Sequence, residues 1–309
     1  MSMSMQQVRI IDPVLSTVSR GYRRADLVGE ALFPRVDVPI SGGQIIEFGK
    51  EAFRLYNARR TPGATTRRIE TGYLGKPFAL LQDSLEGKVP REWMRDATRA
   101  PGVNLGTRAT NVVMGSLLLA LEYEQAQLAR TPGNYPASNR IALAGGSRWT
   151  DASVNPTKHI DDGREAIRAS VGMYPNTAVL SAKAFAAARS NPNILDRFKY
   201  TSSQSVTKEM LAALWNVDRI EVGQAVFASG PNDDFGDVWG SDVVLAYTAI
   251  ASVGAEVPSF AYTYQMEGHP SVEQAYWENA SKSWIYPVTF ERAPVIAGAG
   301  AGYLIQTAA

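Results

Sequence analysis

The side chains best suited to chemistry are few and scattered. The 309-residue chain has no cysteine and two histidines, His159 and His269. That excludes disulfides, thiolate metal sites, iron–sulfur clusters and a cysteine nucleophile. His159 stands near Asp161 and Asp162, and His269 near Glu267, but two histidines so far apart in the chain form no ligand cluster. Ser205-Val206-Thr207-Lys208 has the serine–lysine spacing of some acylating hydrolases. Its companion motifs are absent, and Ser205 stands where a helix cap belongs. Asp233, Asp234 and Asp237 lie in a Gly/Pro/Asn loop without the ordered alternation of a calcium loop. The glycines of Ala297–Gly302 resemble a phosphate-binding loop, yet the seven residues after Gly302 read as a strand. A dinucleotide fingerprint needs a helix there. No set combines nucleophile, base and orienter, so neither a catalytic residue, a cofactor nor a metal site is expected. The enzyme alternative is a hydrolase using Asp161, Asp162 or Glu165.

A different cluster stands out. Arg54, Arg59, Arg60, Arg67 and Arg68 fall in one stretch, with no acidic residue from Ala52 to Ile69. Arg20, Arg23 and Arg24 form a smaller group upstream. No aromatic stacking platform or recognition helix accompanies the first cluster, so nucleic-acid readout is disfavoured. Arginine's planar fork suits carboxylates at interfaces, and all eight residues are read as subunit-interface candidates. The charge distribution agrees. Residues 1–150 hold 20 Lys/Arg against 13 Asp/Glu, a net of +7, and residues 151–309 hold 11 against 17, a net of −6. A basic half that can lie on a neighbour's acidic half suits head-to-tail assembly.

The elements that must carry these residues follow from pattern. With 45% hydrophobic and 20% charged residues the chain is an ordinary folded protein. Neither a signal-peptide pattern nor an apolar stretch of membrane-spanning length is present, and an intracellular origin is expected. Residues 1–37 read as an arm anchored by Val14, Leu15, Val18, Leu27, Val28, Leu32 and Phe33, with a short helix from Arg24 to Leu32 stopped by Pro34. Residues 38–90 read as an extended β-hairpin turning at Pro62-Gly63. Apolar spacing predicts a helix over 105–130, capped by Thr107 and ended by Pro132-Gly133. At about 1.5 Å per residue it would run roughly 35 Å, as a spine. Beyond it, helices are predicted at 161–171, 182–189 and 206–215, alternating with strands at 177–180, 219–222 and 243–247. Further strands are expected at 260–266, 272–277, 284–290 and 303–305. Length suggests two domains, but an arm and a hairpin too long to bury themselves favour intertwined subdomains that partners must cover.

This order of elements is similar to that of the major capsid protein of tailed bacteriophages, the α+β Hong Kong 97-like fold that also builds encapsulin compartments. Local phrasing resembles it too: Asp162-Gly163-Arg164-Glu165-Ala166-Ile167 followed by Tyr174–Ser181, then Asn191–Phe198, then Asp237–Asp242 leading into Val243–Tyr247. The resemblance implies a tailed-phage capsid fold with an N-terminal arm (1–37), an extended β-hairpin loop (38–90) and a peripheral domain with the spine helix (91–157). An axial domain (158–257) and a β-rich return through the axial to the peripheral domain (258–309) complete it.

What the resemblance implies about function is a non-enzymatic shell subunit of the virion, assembled in the bacterial host cytoplasm. Hexamers and pentamers would form an icosahedral head around double-stranded DNA, with each hairpin across a neighbour. Partners would be other copies, a scaffolding protein, a portal protein, non-specifically held DNA and, as a further candidate, a decoration protein; no membrane is involved. An encapsulin-type compartment shell is the close alternative. Two departures refine the picture. Glu51 to Gly75 contains no lysine for an isopeptide cross-link, although Lys50 and Lys76 flank the segment. With about 37 residues before the hairpin, no large N-terminal piece is expected to be removed, and scaffolding is assigned to a separate protein.

Overall fold

The computed structural model describes residues 12–22, 24, 26–46, 59, 75–97, 104–199, 206–230, 234–249 and 259–309. The arm begins with α1 (Pro13–Gly21), which starts after Asp12 because its carboxylate accepts from the Val14 and Leu15 amides and Pro13 presets the first turn. A helix expected over 24–32 is instead a 3₁₀ turn at Gly29–Ala31. The backbone there bends to send two amides into the spine, as described below. The chain continues as β1 (Arg35–Val38), β2 (Gly42–Ile46), β3 (Gly75–Ala79) and β4 (Leu81–Pro90). β2 and β3 pair antiparallel, from Gly42 opposite Ala79 to Ile46 opposite Gly75. They form the base of a hairpin whose expected turn, with Lys50, lies outside the described residues. The hairpin is thus narrower than 38–90, since β1 and β4 belong to a body sheet.

After α2 (Arg91–Ala97) comes α3 (Leu105–Arg130), about 39 Å long. Its cap is Asn104, whose side chain accepts from the Thr107 amide, not Thr107 as expected. The rest comprises β5 (Arg140–Ala142), α4 (Pro156–Val171), β6 (Thr177–Ser181), α5 (Ala182–Ser190), α6 (Pro192–Phe198), α7 (Lys208–Trp215), β7 (Arg219–Gly223), β8 (Val226–Phe227), β9 (Gly236–Asp237) and β10 (Val243–Ala246). It closes with β11 (Ala261–Met266), β12 (Ser271–Val272), β13 (Tyr276–Glu278), β14 (Ser283–Ile296) and β15 (Gly302–Gln306). Thr207 caps α7 by accepting from the Met210 amide; Ser205, the expected cap, lies outside the described residues.

Two sheets organise the molecule. A five-stranded sheet runs β5-β15-β10-β6-β7. Its inner strands β15, β10 and β6 are buried on both faces, which explains their unbroken apolar runs. Leu180, Leu245 and Ile305 point into a core with Ile160 and Ile167 of α4 and Trp215 of α7. Their neighbours Val179, Val244 and Leu304 point the other way, against Leu32 and Phe33 of the arm and Ala126 and Ala129 of α3. A six-stranded sheet runs β1-β11-β14-β12, with β13 and β4 also pairing to β14. One face packs on α3 through Val288, Phe290 and Tyr286 against Val113, Met114, Leu117 and Leu121. Burying each such leucine contributes about 1.5–3 kcal/mol.

Residues 258–309, expected as one β-rich return, divide between the two sheets. β11 to β14 lie in the six-stranded sheet and β15 in the five-stranded one. The burial of Leu304 and Ile305 on opposite faces fixes β15 there.

Candidate functional site

Most of the described residues that could have done chemistry are occupied structurally, while Ser205 and Asp233 lie outside the described residues. Trp149 Nε1 donates to His159 Nδ1 at 3.0 Å, so the ring is neutral with its proton on Nε2. Burial holds its pKa below the usual 6.5, against the pull of Asp162. Asp161 pairs with Arg164 at 3.4 Å. Glu165 pairs with Arg168 at 2.7 Å and accepts from Tyr174 Oη at 2.9 Å. Those two partners hold its carboxyl below the usual range, the wrong direction for a general acid. Lys208 pairs with Glu221 at 3.3 Å, and Asp237 with Lys183 at 2.7 Å. His269 is buried, with Nδ1 3.2 Å from the Thr289 carbonyl. Among the described residues no group of three His, Cys, Asp or Glu could hold a metal. The glycine-rich stretch is a packing device: a Cβ on Gly302 would sit 2.4 Å from the Phe260 ring, and a strand follows it.

The His159 contact gives a pH prediction. Protonating Nδ1 would set two donors against each other. A histidine whose folded pKa is depressed contributes stability that is full above about pH 6.5 and declines as pH falls, because the unfolded chain takes the proton first. The melting temperature is therefore expected to drop less between pH 7.5 and 5.5 in His159→Gln than in the parent. Equal drops would assign the acid sensitivity elsewhere.

The interface candidates divide. Arg24 grips Asp26 with two bonds, at 3.1 and 2.6 Å, and Nη1 donates to the Gly115 carbonyl of α3 at 3.3 Å. It therefore fastens the arm within its own chain, and it holds the Asp26 carboxyl below the usual range. Arg20 is exposed, with Nε on the Ser16 carbonyl of its own helix at 3.2 Å. Arg59 is exposed. Arg23, Arg54, Arg60, Arg67 and Arg68 lie outside the described residues.

Two polar features escaped the sequence reading. The first is Glu122, at 2% exposure inside α3. Oε1 accepts from the Val28 amide at 3.0 Å and Trp239 Nε1 at 2.7 Å, and Oε2 from the Gly29 amide at 2.8 Å. Arm, spine and the turn before β10 meet at this one carboxyl. Burial outweighs the three donors and holds its pKa above the usual range.

The second is the outer face of the six-stranded sheet, away from α3. The β4–β14 register sets Glu86 opposite Pro287 and Gln82 opposite Glu291. Beyond β14 the same face carries Tyr276 and Glu278, opposite Ile285 and Ser283. Glu273 joins them by accepting from Thr289 Oγ1 at 3.3 Å. Tyr276 Oη donates to Glu86 at 3.1 Å, and Ser281 Oγ donates to Glu278. Among the paired residues of β4 and β14 on this face the cation is Lys88, opposite Ile285. The hairpin base leaves from the same face, where Phe78 of β3 stacks on Tyr264 of β11 at 4.4 Å.

The architecture is thus two packed sheets on a spine, with a paired hairpin base and an arm packed against the spine, and no catalytic constellation among the described residues. Residues 134–227 match the family described as phage major capsid protein E. Over 306 residues the chain is 33% identical to the major capsid protein of Burkholderia phage BcepMu, covering 98% of each. The chain belongs to the phage major capsid protein family. As a major capsid protein it has a structural role rather than an enzymatic one, and its place is the virion. This capsid protein is also similar to a crystallised phage-related protein from Bordetella bronchiseptica RB50, at 49% identity and a TM-score of 0.85, covering 98% of this chain and 99% of the other. The capsid structure of cyanophage P-SCSP1u shares the fold at 10% identity, with a TM-score of 0.57 over 93% of this chain and 89% of that one. The α+β Hong Kong 97-like expectation holds, and the carboxylate hydrolase is set aside. Among the described residues no helix is long and apolar enough to cross a membrane.

Proposed function

We propose that this capsid protein forms the hexamers and pentamers of an icosahedral phage head that encloses double-stranded DNA. The observation that carries the reading is the paired base of β2 and β3. It brackets residues 47–74, whose sequence holds all five clustered arginines, beside a body whose two cores are closed among the described residues. A hairpin laid on a neighbour makes a heterologous contact, patch to a different patch, which closes into rings. In this reading the six-stranded sheet with α3 is the peripheral domain, the five-stranded sheet with α4 to α7 the axial domain, and residues 12–33 the arm. Arg20, Arg23, Arg54, Arg59, Arg60, Arg67 and Arg68 face neighbouring copies, while Arg24 braces the arm. Scaffolding, portal and decoration proteins and the packaged DNA complete the set of partners, and assembly occurs in the host cytoplasm. The identity to a phage major capsid protein along nearly the whole chain favours this reading over an encapsulin-type compartment.

Negative-stain microscopy of the purified chain, alone and coexpressed with scaffolding protein, is expected to show shells, tubes or capsomer rings. The variant carrying Arg59→Glu and Arg60→Glu is expected to keep the parent's circular dichroism and melting temperature while losing at least nine-tenths of its assembled particles. Normal particles from that variant would remove the hairpin arginines from the interface.

A further inference from the structure

The five-stranded sheet ends in a strand with one side bare. Among the described residues β7 pairs with β6 alone. The Arg219 amide donates at 3.1 Å to the carbonyl of Asn176, the residue before β6. Alternation along a parallel ladder then points the backbone groups of Arg219, Glu221 and Gly223 at β6. The N–H and C=O groups of Ile220 and Val222 point the other way, to the free edge. Such an edge is a template for a further strand unless something guards it. Here the guard is slight. Lys208 of α7 pairs with Glu221 at 3.3 Å, and the two side chains are 46% and 29% exposed. Exposed pairs of this kind are weak and screened by salt.

A groove flanks this edge on each face of the sheet. On the arm side, a cleft of about 500 Å³ is walled by Leu27, Pro34, Arg35 and Arg219. On the α7 side, one of about 440 Å³ is walled by Ala212, Ala213, Val217 and Ile220. An added strand would send alternate side chains into the two grooves, which is how strand addition couples main-chain affinity to side-chain choice. With the arm on one face and α7 on the other, the slot admits a lone extended segment. The covered edge of a second sheet would collide with both. Arg219 sets the charge of the occupant. Its Nη2 donates to the Ala31 carbonyl at 3.1 Å, and its Nε is buried with no hydrogen-bond partner among the described residues. It forms no ion pair among them either. A carboxylate on the arm side of the incoming strand would complement it, and the alanine-lined groove suits an apolar side chain.

We propose that the free edge of β7 docks an extended segment of a different protein, added as a sixth strand with an acidic side chain toward Arg219 and an apolar one toward α7. The site is separate from the hairpin and independent of how copies of the chain meet one another. β7 is five residues long, and a partner segment of similar length covers it. Docking displaces Lys208 from Glu221 and gives the outward groups of Ile220 and Val222 their partners.

The probe is a fluorescein-labelled synthetic peptide, Thr-Val-Glu-Val-Thr-Val-Thr, titrated into the purified full chain and followed by fluorescence anisotropy. Saturable binding is expected, and the Ile220 and Val222 amides should gain protection from hydrogen exchange. Val222→Pro removes an outward amide and spares the ladder to β6. It is expected to bind about tenfold more weakly, the share of one or two main-chain hydrogen bonds, at an unchanged melting temperature. Should it misfold, Ala213→Trp replaces it, filling the α7 groove from an exposed position, with the same loss expected. A peptide with lysine in place of glutamate should also bind about tenfold more weakly, and Arg219→Gln should erase that difference. No saturable binding, or binding that neither variant weakens, would overturn the proposal. Equal binding of the two peptides would overturn the acidic partner. If Val222→Pro instead slows or speeds sedimentation of the chain alone, a second copy occupies the edge, and a different protein does not.

Discussion

Replacing Glu122 with alanine is expected to destabilise the subunit by about 3–6 kcal/mol, since each buried donor left unpaired costs about 1–3 kcal/mol. Three donors lose their acceptor at once: the Val28 and Gly29 amides of the arm and the indole of Trp239. Water cannot readily replace the carboxylate. Trp239 is 2% exposed, and a Cβ on Gly223 would lie 2.2 Å from its ring. Glu122→Gln should lose less, about 1–3 kcal/mol. It keeps one acceptor oxygen and removes a charge that burial disfavours, but it turns an amide N–H toward at least one backbone N–H. Typical domains are stable by only about 5–15 kcal/mol, so the alanine variant should sit near its unfolding threshold. Urea denaturation gives the order, alanine worse than glutamine worse than parent. Hydrogen exchange localises the effect: the Val28 and Gly29 amides should lose protection before those of β6 and β10. Equal stability of all three proteins would show that the junction carries no net energy.

Arg292→Ala is expected to cost about 3 kcal/mol, the lower end of the range for breaking a buried ion pair. The Arg292 side chain is 1% exposed, with Nη1 2.7 Å from Glu124 and Nη2 2.7 Å from Asp83. Its guanidinium lies 5.3 Å from the Phe290 ring centre. The side chain thus joins β14, β4 and the spine at one point. The lower end applies because Asp83 and Glu124 are 41% and 45% exposed, so water solvates both once the cation is gone. What remains is lost packing between the sheet and α3. Arg292→Met restores most of that volume and should cost about 1–2 kcal/mol, since apolar replacement of a buried pair is often close to neutral. A methionine variant as unstable as the alanine one would assign the effect to charge instead of packing.

Much of the fold was legible because local signals agreed with the tertiary result. The spine helix covers the residues its apolar spacing indicated, 105–130. Strands 177–181 and 243–246 follow the expected apolar runs, which burial on both faces requires, while the edge strand 219–223 alternates Ile220 and Val222 with Arg219 and Glu221. The arm was harder. Asp12-Pro13 is a cap followed by a first-turn proline, a local helix start, whereas the helix expected at 24–32 is a 3₁₀ turn. There the backbone bends to deliver amides to Glu122, a demand set by a residue in another element. Glu122 itself reads in sequence as a polar stop after an apolar run, and only the fold shows it buried. The outer-face glutamates were illegible for a different reason. Glu86, Glu273, Glu278 and Glu291 are scattered along the chain and share a surface only once β4, β12, β13 and β14 are in register.

The position of β15 bears on when the protein becomes usable during its own synthesis. Residues 302–306 lie between β5 and β10, inside the five-stranded sheet, and Ala308 ties Trp149 and Ser241 together through its backbone. A ribosome makes these residues after every other strand of that sheet. Until they emerge from the exit tunnel, β10 keeps an open edge, and β5 has no strand to join. A nascent chain tethered to its polysome, close to identical chains, therefore carries an unfinished half. Translation itself delays a subunit's entry into an assembly until the whole sheet has been delivered.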